Sequence, residues 1–188
     1  MRRLTVEFRL VVVGLKAILR FQPAAFLCFP GGMGPFLRSF IAALIVSPLQ
    51  VLIVWAEMSS QTIDDPQRYI LFQAAAYVLG WLAYPLLLLP VCRHFDRSGR
   101  YTTYVSAFNW FQLVEYGVVV PVLLLGTIPW LPPALTMVLW MVTVLTLMVY
   151  EWFLIRRGLE LETGTTAALV IINFLLNLLI SRGAEVLT

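Results

Sequence analysis

Asn109, Gln112 and Glu115 stand three residues apart in the otherwise apolar run FNWFQLVEYGVVVP, residues 108–121. A carboxylic acid with two carboxamides can hold a ligand or carry a proton, and in a membrane segment an acid marks a candidate site. On a helix these three and Tyr116 fall within an arc of about 120°. Phe108 and Val119 share that arc; Trp110, Phe111, Val114 and Val118 point elsewhere. Asn173 and Asn177, one turn apart, make a second polar stripe. The candidate ligand or proton site is therefore Glu115, Asn109, Gln112, Asn173 and Asn177.

An ionised carboxylate in the bilayer centre costs several kcal/mol. The Glu115 face must then look inward, toward other helices or a wet cavity. Counting from the segment ends puts Tyr77, Thr143 and Asn173 at a similar depth. The third and fifth spans are accordingly expected to pack through Asn109, Gln112 and Glu115 against Asn173 and Asn177. No Lys or Arg lies inside a span, so a deep salt bridge is not expected. Interhelical hydrogen bonds of this kind contribute about 0.6 kcal/mol each, and such glue is the leading reading of the stripe. Glu151, little more than one turn from Arg156, is read as snorkelling to the interface. Glu57 falls near the outer end of its span.

Other chemistries lack their residues. The one histidine, His94, and the two distant cysteines, Cys28 and Cys92, match no metal spacing. There is no Gly-Lys phosphate loop and no Ser-centred nucleophile elbow. No catalytic residue, metal or cofactor is expected, and the chain is not expected to be an enzyme or to bind nucleic acid. His94, Asp96 and Arg97 could meet a phosphate headgroup, but a loop obeying the charge rule explains them better.

The elements that position these residues follow from composition. Of 188 residues, 61% are hydrophobic and 12% charged, and the mean hydropathy is +0.88. A soluble domain of this length cannot hide so much apolar surface, which selects the membrane class. A spanning helix needs about 20 apolar residues, and five segments supply them: 40–58, 69–91, 105–125, 131–155 and 165–180. The fold expected is an all-α integral membrane protein. A basic amphipathic interfacial helix and Gly/Pro turn occupy residues 1–35; the five-span bundle occupies 36–188. Pro48 and Pro85, well inside spans, are read as static bends.

Charge sets the orientation. Eleven of the thirteen cations fall before the first span or in the second and fourth loops. The positive-inside rule then places the N-terminus in the cytoplasm and the C-terminus outside the inner, or plasma, membrane. The first segment is interrupted by Glu7, Arg9 and Lys16, so it is read as neither a span nor a cleaved leader. On a helix, Arg2, Arg9, Lys16 and Arg20 form a narrow stripe, with Leu4, Phe8, Val11, Leu15 and Ile18 roughly opposite. Each cation beside anionic lipid contributes about 1 kcal/mol. Partners expected are the bilayer, anionic lipids of the cytoplasmic face, and another membrane protein or a second copy.

The final three spans, from VSAFNWFQLVEYGVVVPVLLL to VYEWFLIRRGLELETGTTAALVIINFLLNLLI, have a short charged loop before a small-residue helix start. With the five-span count and inside N-terminus, the chain resembles the Yip-type (Ypt-interacting-protein-like) membrane family and its bacterial relatives. The resemblance covers roughly 36–180. The basic N-terminal helix departs from the longer polar tail of the eukaryotic members. It implies a role in membrane trafficking or organisation and supplies no reaction. The expected function is thus a non-enzymatic scaffold or accessory protein binding lipid or a membrane partner. The alternative is a small transporter or channel subunit with Glu115 lining the path. A reporter enzyme active only outside the cytoplasm, fused after Thr188, should be active; a silent fusion with an active cytoplasmic counterpart would reverse the orientation.

Overall fold

The computed structural model describes the backbone of residues 2–60, 63–128 and 130–186, and side chains over 6–59, 63–128 and 130–183. Every regular element among these residues is helical. Helix α1 covers Arg2–Leu19. A 3₁₀ turn at Pro23–Cys28 leads to the short α2, Met33–Ser39. Then come α3, Ile41–Ser60; α4, Pro66–His94; α5, Ser98–Leu125; α6, Pro133–Gly158; and α7, Thr163–Val186. Five helices are long and apolar enough to cross a membrane, with α2 and α3 together making the first. Each falls on an expected span and extends beyond it at one end or both, though α6 starts at Pro133, two residues inside the expected start.

Local chemistry sets the ends. Asp65 caps α4: its carboxylate accepts from the backbone N–H of Gln67 and Arg68, both at 3.1 Å. Pro66 follows at the first helical position, where its fixed φ and missing N–H cost nothing. Pro133 opens α6 in the same way. Helices α1 and α4 end in a reversal of one type. Phe21 and Asp96 adopt φ of 53° and 57°. Beyond them, Gln22 and Arg97 donate back to the Ala17 and Cys92 carbonyls at 2.9 and 2.7 Å. These bonds satisfy carbonyls that a helix end otherwise leaves free. Glycine is the usual residue there, and a phenylalanine is strained. Phe21 is held by its ring, which stacks on Tyr150 at 4.6 Å and meets Phe153 edge-on, while Tyr150 donates to the Leu19 carbonyl.

The five long helices form a ring in the order α3, α4, α7, α6, α5, closed by α5 against α3. Helix α5 also meets α4 across the ring and takes α1 and α2 on its outer side. The core gathers at the end carrying the α4–α5 and α6–α7 loops, hereafter the basic end. There Ile18, Tyr84, Leu88, Tyr104, Leu154, Ile155 and Leu159 are all essentially inaccessible. Outside the ring the surface is apolar: Leu44, Leu71, Met137, Leu175 and Leu179 are each more than half exposed. Patches of that extent on several helices fit contact with lipid.

Helix α1 exists where expected, and it packs on the bundle. Val11, Gly14 and Ile18 form its buried seam, with Gly14 under the Phe29 ring. Phe8 stands edge-on to Trp110 at 6.1 Å, and Glu7 pairs with Arg38 of α2 at 2.7 Å. So the apolar side opposite the cations is covered by protein at Val11 and Ile18, not left to lipid. Arg9, Lys16 and Arg20 are exposed on the far side, flanked by exposed Val6, Val13 and Leu19. The Arg2 and Leu4 side chains lie outside the described residues.

Close approach at the basic end depends on Gly158. A Cβ there would stand 2.7 Å from the Phe26 ring and 2.9 Å from that of Tyr104. Gly158→Ala should therefore destabilise the protein by about 1–3 kcal/mol, read as a lowered Tm in detergent. Gly117→Ala, with open space around the added carbon, should leave Tm unchanged or raise it.

Candidate functional site

The α5 stripe does not act as one unit. Three residues turn a helix by about 300°, so each step moves the side chain back by about 60°. Asn109 and Glu115 consequently look at different neighbours. Asn109 is completely buried and faces α2, where its Nδ2 donates to Ser39 Oγ at 2.9 Å. Ser39 in turn donates to the Phe36 carbonyl at 2.6 Å. The Asn109 Oδ1 is buried without a partner.

Gln112, Glu115 and Tyr116 face the interior of the ring. They line a partly enclosed cavity of about 150 Å³ with Gln50 of α3, Gln73 and Tyr77 of α4, and Asn177 and Ser181 of α7. Trp81 and Phe108 form its floor toward the basic end. The walls are largely amides and hydroxyls. Tyr116 donates to Gln50 at 3.1 Å, joining α5 to α3, and Tyr77 donates to the Ala43 carbonyl at 2.6 Å. Near the rim Tyr69 donates to Glu57 at 2.8 Å, and Gln73 donates to the Tyr69 hydroxyl at 3.1 Å. Gln112 and Glu115 make no hydrogen bond or ion pair among the described residues.

The expected packing of the third span against the fifth is not found. Helix α7 packs against α4 and α6, and the space between α5 and α7 is the chamber itself. Helix α5 meets α4 and α6, and it is these two helices that carry α7. Asn177 instead donates to Asn173 one turn earlier, at 3.1 Å to the side chain and 3.0 Å to the backbone. The polar stripes expected to bind each other both line the space between them.

A second cavity, of about 280 Å³, adjoins the first through Glu115, Tyr116 and Asn177. Asn173, Met148 and Glu151 continue it toward the basic end. This corrects the expectation for Glu151. Five residues along a helix is a turn of about 500°, so Arg156 points about 140° away from Glu151. Arg156 is occupied with the Leu161 carbonyl, and Glu151 looks inward with Oε1 buried. The signal was present in the sequence: Thr143, Leu147, Glu151 and Leu154 recur at helical spacing along one face. Tyr84, which adjoins Glu151, and Tyr104, which adjoins Tyr84, are not expected from the sequence either. Single tyrosines in long apolar runs carry no pattern of their own.

His94, Asp96 and Arg97 do not converge on one point. His94 is exposed, and Arg97 reaches the Glu160 carbonyl at 3.5 Å. Arg100 pairs with Glu160 at 2.8 Å, so this loop clasps the α6–α7 loop. No group of three or more His, Cys, Asp or Glu residues able to hold a metal occurs among the described residues.

The architecture is that of a polytopic, five-helix membrane protein with a polar chamber between its helices. Comparison with known proteins finds no matching family, no matching curated protein and no matching solved structure. Function must therefore be argued from the chamber. The α2–α5 bond gives a direct check: Ser39→Ala removes the acceptor for a fully buried amide and should cost about 1 kcal/mol. Denaturation of the detergent-solubilised protein measures it, and an unchanged midpoint would deny the bond any weight.

Proposed function

We propose that the chain is a small membrane transporter or channel subunit whose path runs through the chamber, with Glu115 as its binding or proton-carrying group. One observation carries this reading. Glu115 faces a polar cavity walled by four helices, and among the described residues no cation or hydrogen-bond donor pairs with it. Interhelical glue would use up its donors and acceptors on neighbouring helices. Here Gln112 and Glu115 hold no partner among the described residues. A carboxyl group in low dielectric must either stay neutral or take an exchangeable partner, and a chamber that admits small polar species supplies one.

The chain is read as an inner-membrane protein with its N-terminus cytoplasmic and its C-terminus outside. Gln73 and Ser181 then put the chamber's rim toward the outside. Arg9, Lys16 and Arg20, with Arg2, rest beside anionic headgroups of the cytoplasmic leaflet. A non-enzymatic scaffold is the second reading, and the exposed apolar flanks of α1 beside its cation stripe favour it. Such a surface suits lipid or a membrane partner, and the Yip-type resemblance belongs with this reading.

Labelling of single cysteines separates the two, in a background of Cys28→Ala and Cys92→Ala. A membrane-impermeant thiol reagent added outside should modify Glu115→Cys at least about tenfold faster than the lipid-facing Val118→Cys, because only the chamber holds water. Equal, negligible labelling at both positions would remove the path and leave the scaffold.

A further inference from the structure

Below the chamber lie three buried oxygens that make no hydrogen bond of ordinary geometry among the described residues: Tyr84 Oη, Tyr104 Oη and Glu151 Oε1. They come from three helices, α4, α5 and α6. Tyr84 adjoins both Tyr104 and Glu151, and Tyr104 interacts with Glu151. Glu151 also adjoins the Asn173 side chain of α7. The two tyrosines are 1% and 0% exposed, and the Phe108 ring lies against both, at 5.2 and 6.1 Å. An unsatisfied buried hydroxyl or carboxyl oxygen is costly, so three side by side need an explanation. A group of this kind can hold an ordered internal water, which takes two to four polar partners, and Glu151 opens onto the second cavity. Hydrophobic residues of similar shape would fill this place without that cost.

Glu151 is also the connection upward. It shares the second cavity with Glu115, and that cavity runs into the first. Counted along their helices, Glu115 lies ten residues from the outer end of α5 and Glu151 seven from the basic end of α6. The two acids are therefore stacked in depth. We propose, resting on the chamber reading above, that Glu115 and Glu151 are successive stations of one proton path, continued toward the basic end through ordered water by Tyr84 and Tyr104.

Each transfer moves a single proton. An O–H bond on Glu115 breaks as one forms on the Glu151 carboxylate by way of intervening water. Glu151 then releases its proton to the water it shares with the tyrosines, whose hydroxyls both donate and accept. No electron moves and no co-reactant is required. The titratable groups facing Glu151 are Glu115 and Tyr104 from α5 and Tyr84 from α4, with Cys92 of α4 beside the tyrosines. Helix α7 presents the uncharged Asn173. Helix α1 reaches α6 through Tyr150, whose hydroxyl is taken by the Leu19 carbonyl. No cation faces the acid among the described residues, so nothing there holds it permanently ionised.

The full chain in proteoliposomes, with a pH-sensitive dye inside and a potassium diffusion potential set by valinomycin, tests this. Wild-type vesicles should acidify faster than protein-free ones. Glu115→Gln and Glu151→Gln should each slow the rate about tenfold or more, and Tyr84→Phe/Tyr104→Phe several-fold, as expected for lost proton-transfer groups. Glu115→Cys should keep its accessibility when combined with Glu151→Gln, which shows an intact chamber. Glu151→Gln running at the wild-type rate would overturn the assignment. So would wild-type acidification no faster than that of empty vesicles; labelling at 115 would then still decide the chamber independently. If Glu151→Gln does not fold, the double tyrosine variant decides: slow flux supports the path, and the wild-type rate sinks it.

Discussion

Between helices in lipid, burial of apolar surface provides no net attraction, because acyl chains are as apolar as leucine. Fit and polar contact must join the bundle instead, and both are concentrated on α5. Asn109 binds it to α2, and Tyr116 binds it to α3. Tyr101 donates to the Pro85 carbonyl of α4 at 2.9 Å. The small surface at Gly158 lets the end of α6 reach Tyr104 without a spacer. The remaining helices are arranged around this post.

The post is off-centre, and the chamber follows from that. At the basic end aromatic side chains fill the ring: Tyr84, Tyr104 and Phe108 cross it, and Phe111 meets Tyr150 at its edge. Toward the other end the residues facing inward are shorter and polar, and α5 and α7 stay apart. One half of the bundle is thus packed with aromatic rings, and the other is lined with amides. The asymmetry has a chemical basis. Amides and an acid tolerate a cavity that admits water, whereas the same cavity lined by leucines would lose dispersion contacts with nothing in return.

Much of the architecture was legible because hydrophobic length and punctuation are local properties. The five spans follow from length; Asp65–Pro66 and Pro132–Pro133 fix the true helix starts at 66 and 133, where apolar length alone gives 69 and 131. The inward aim of Glu115 was legible too, since lipid excludes an acid from the outer face. What the sequence could not show was which neighbour each inward residue meets. Asn109 and Glu115 belong to one stripe yet see α2 and the chamber, because a spacing of three drifts around the helix. Depth counting brought Asn173 level with Glu115 but carried no information on ring order, so contact was inferred where a gap lies. Glu151 differs for a related reason: its short distance along the chain to Arg156 suggests snorkelling, but its direction around the axis turns it inward.

Helix α7 joins the basic end to the chamber's rim. At its start the α6–α7 loop is fastened by Arg100 to Glu160 and by Arg156 to the Leu161 carbonyl. The far end, at Ser181, stands on the chamber's rim. Eighteen residues separate Thr163 from Ser181, a length of about 27 Å. Over that length a tilt of about 5° about the base would carry Ser181 roughly 2 Å, most of a water's diameter.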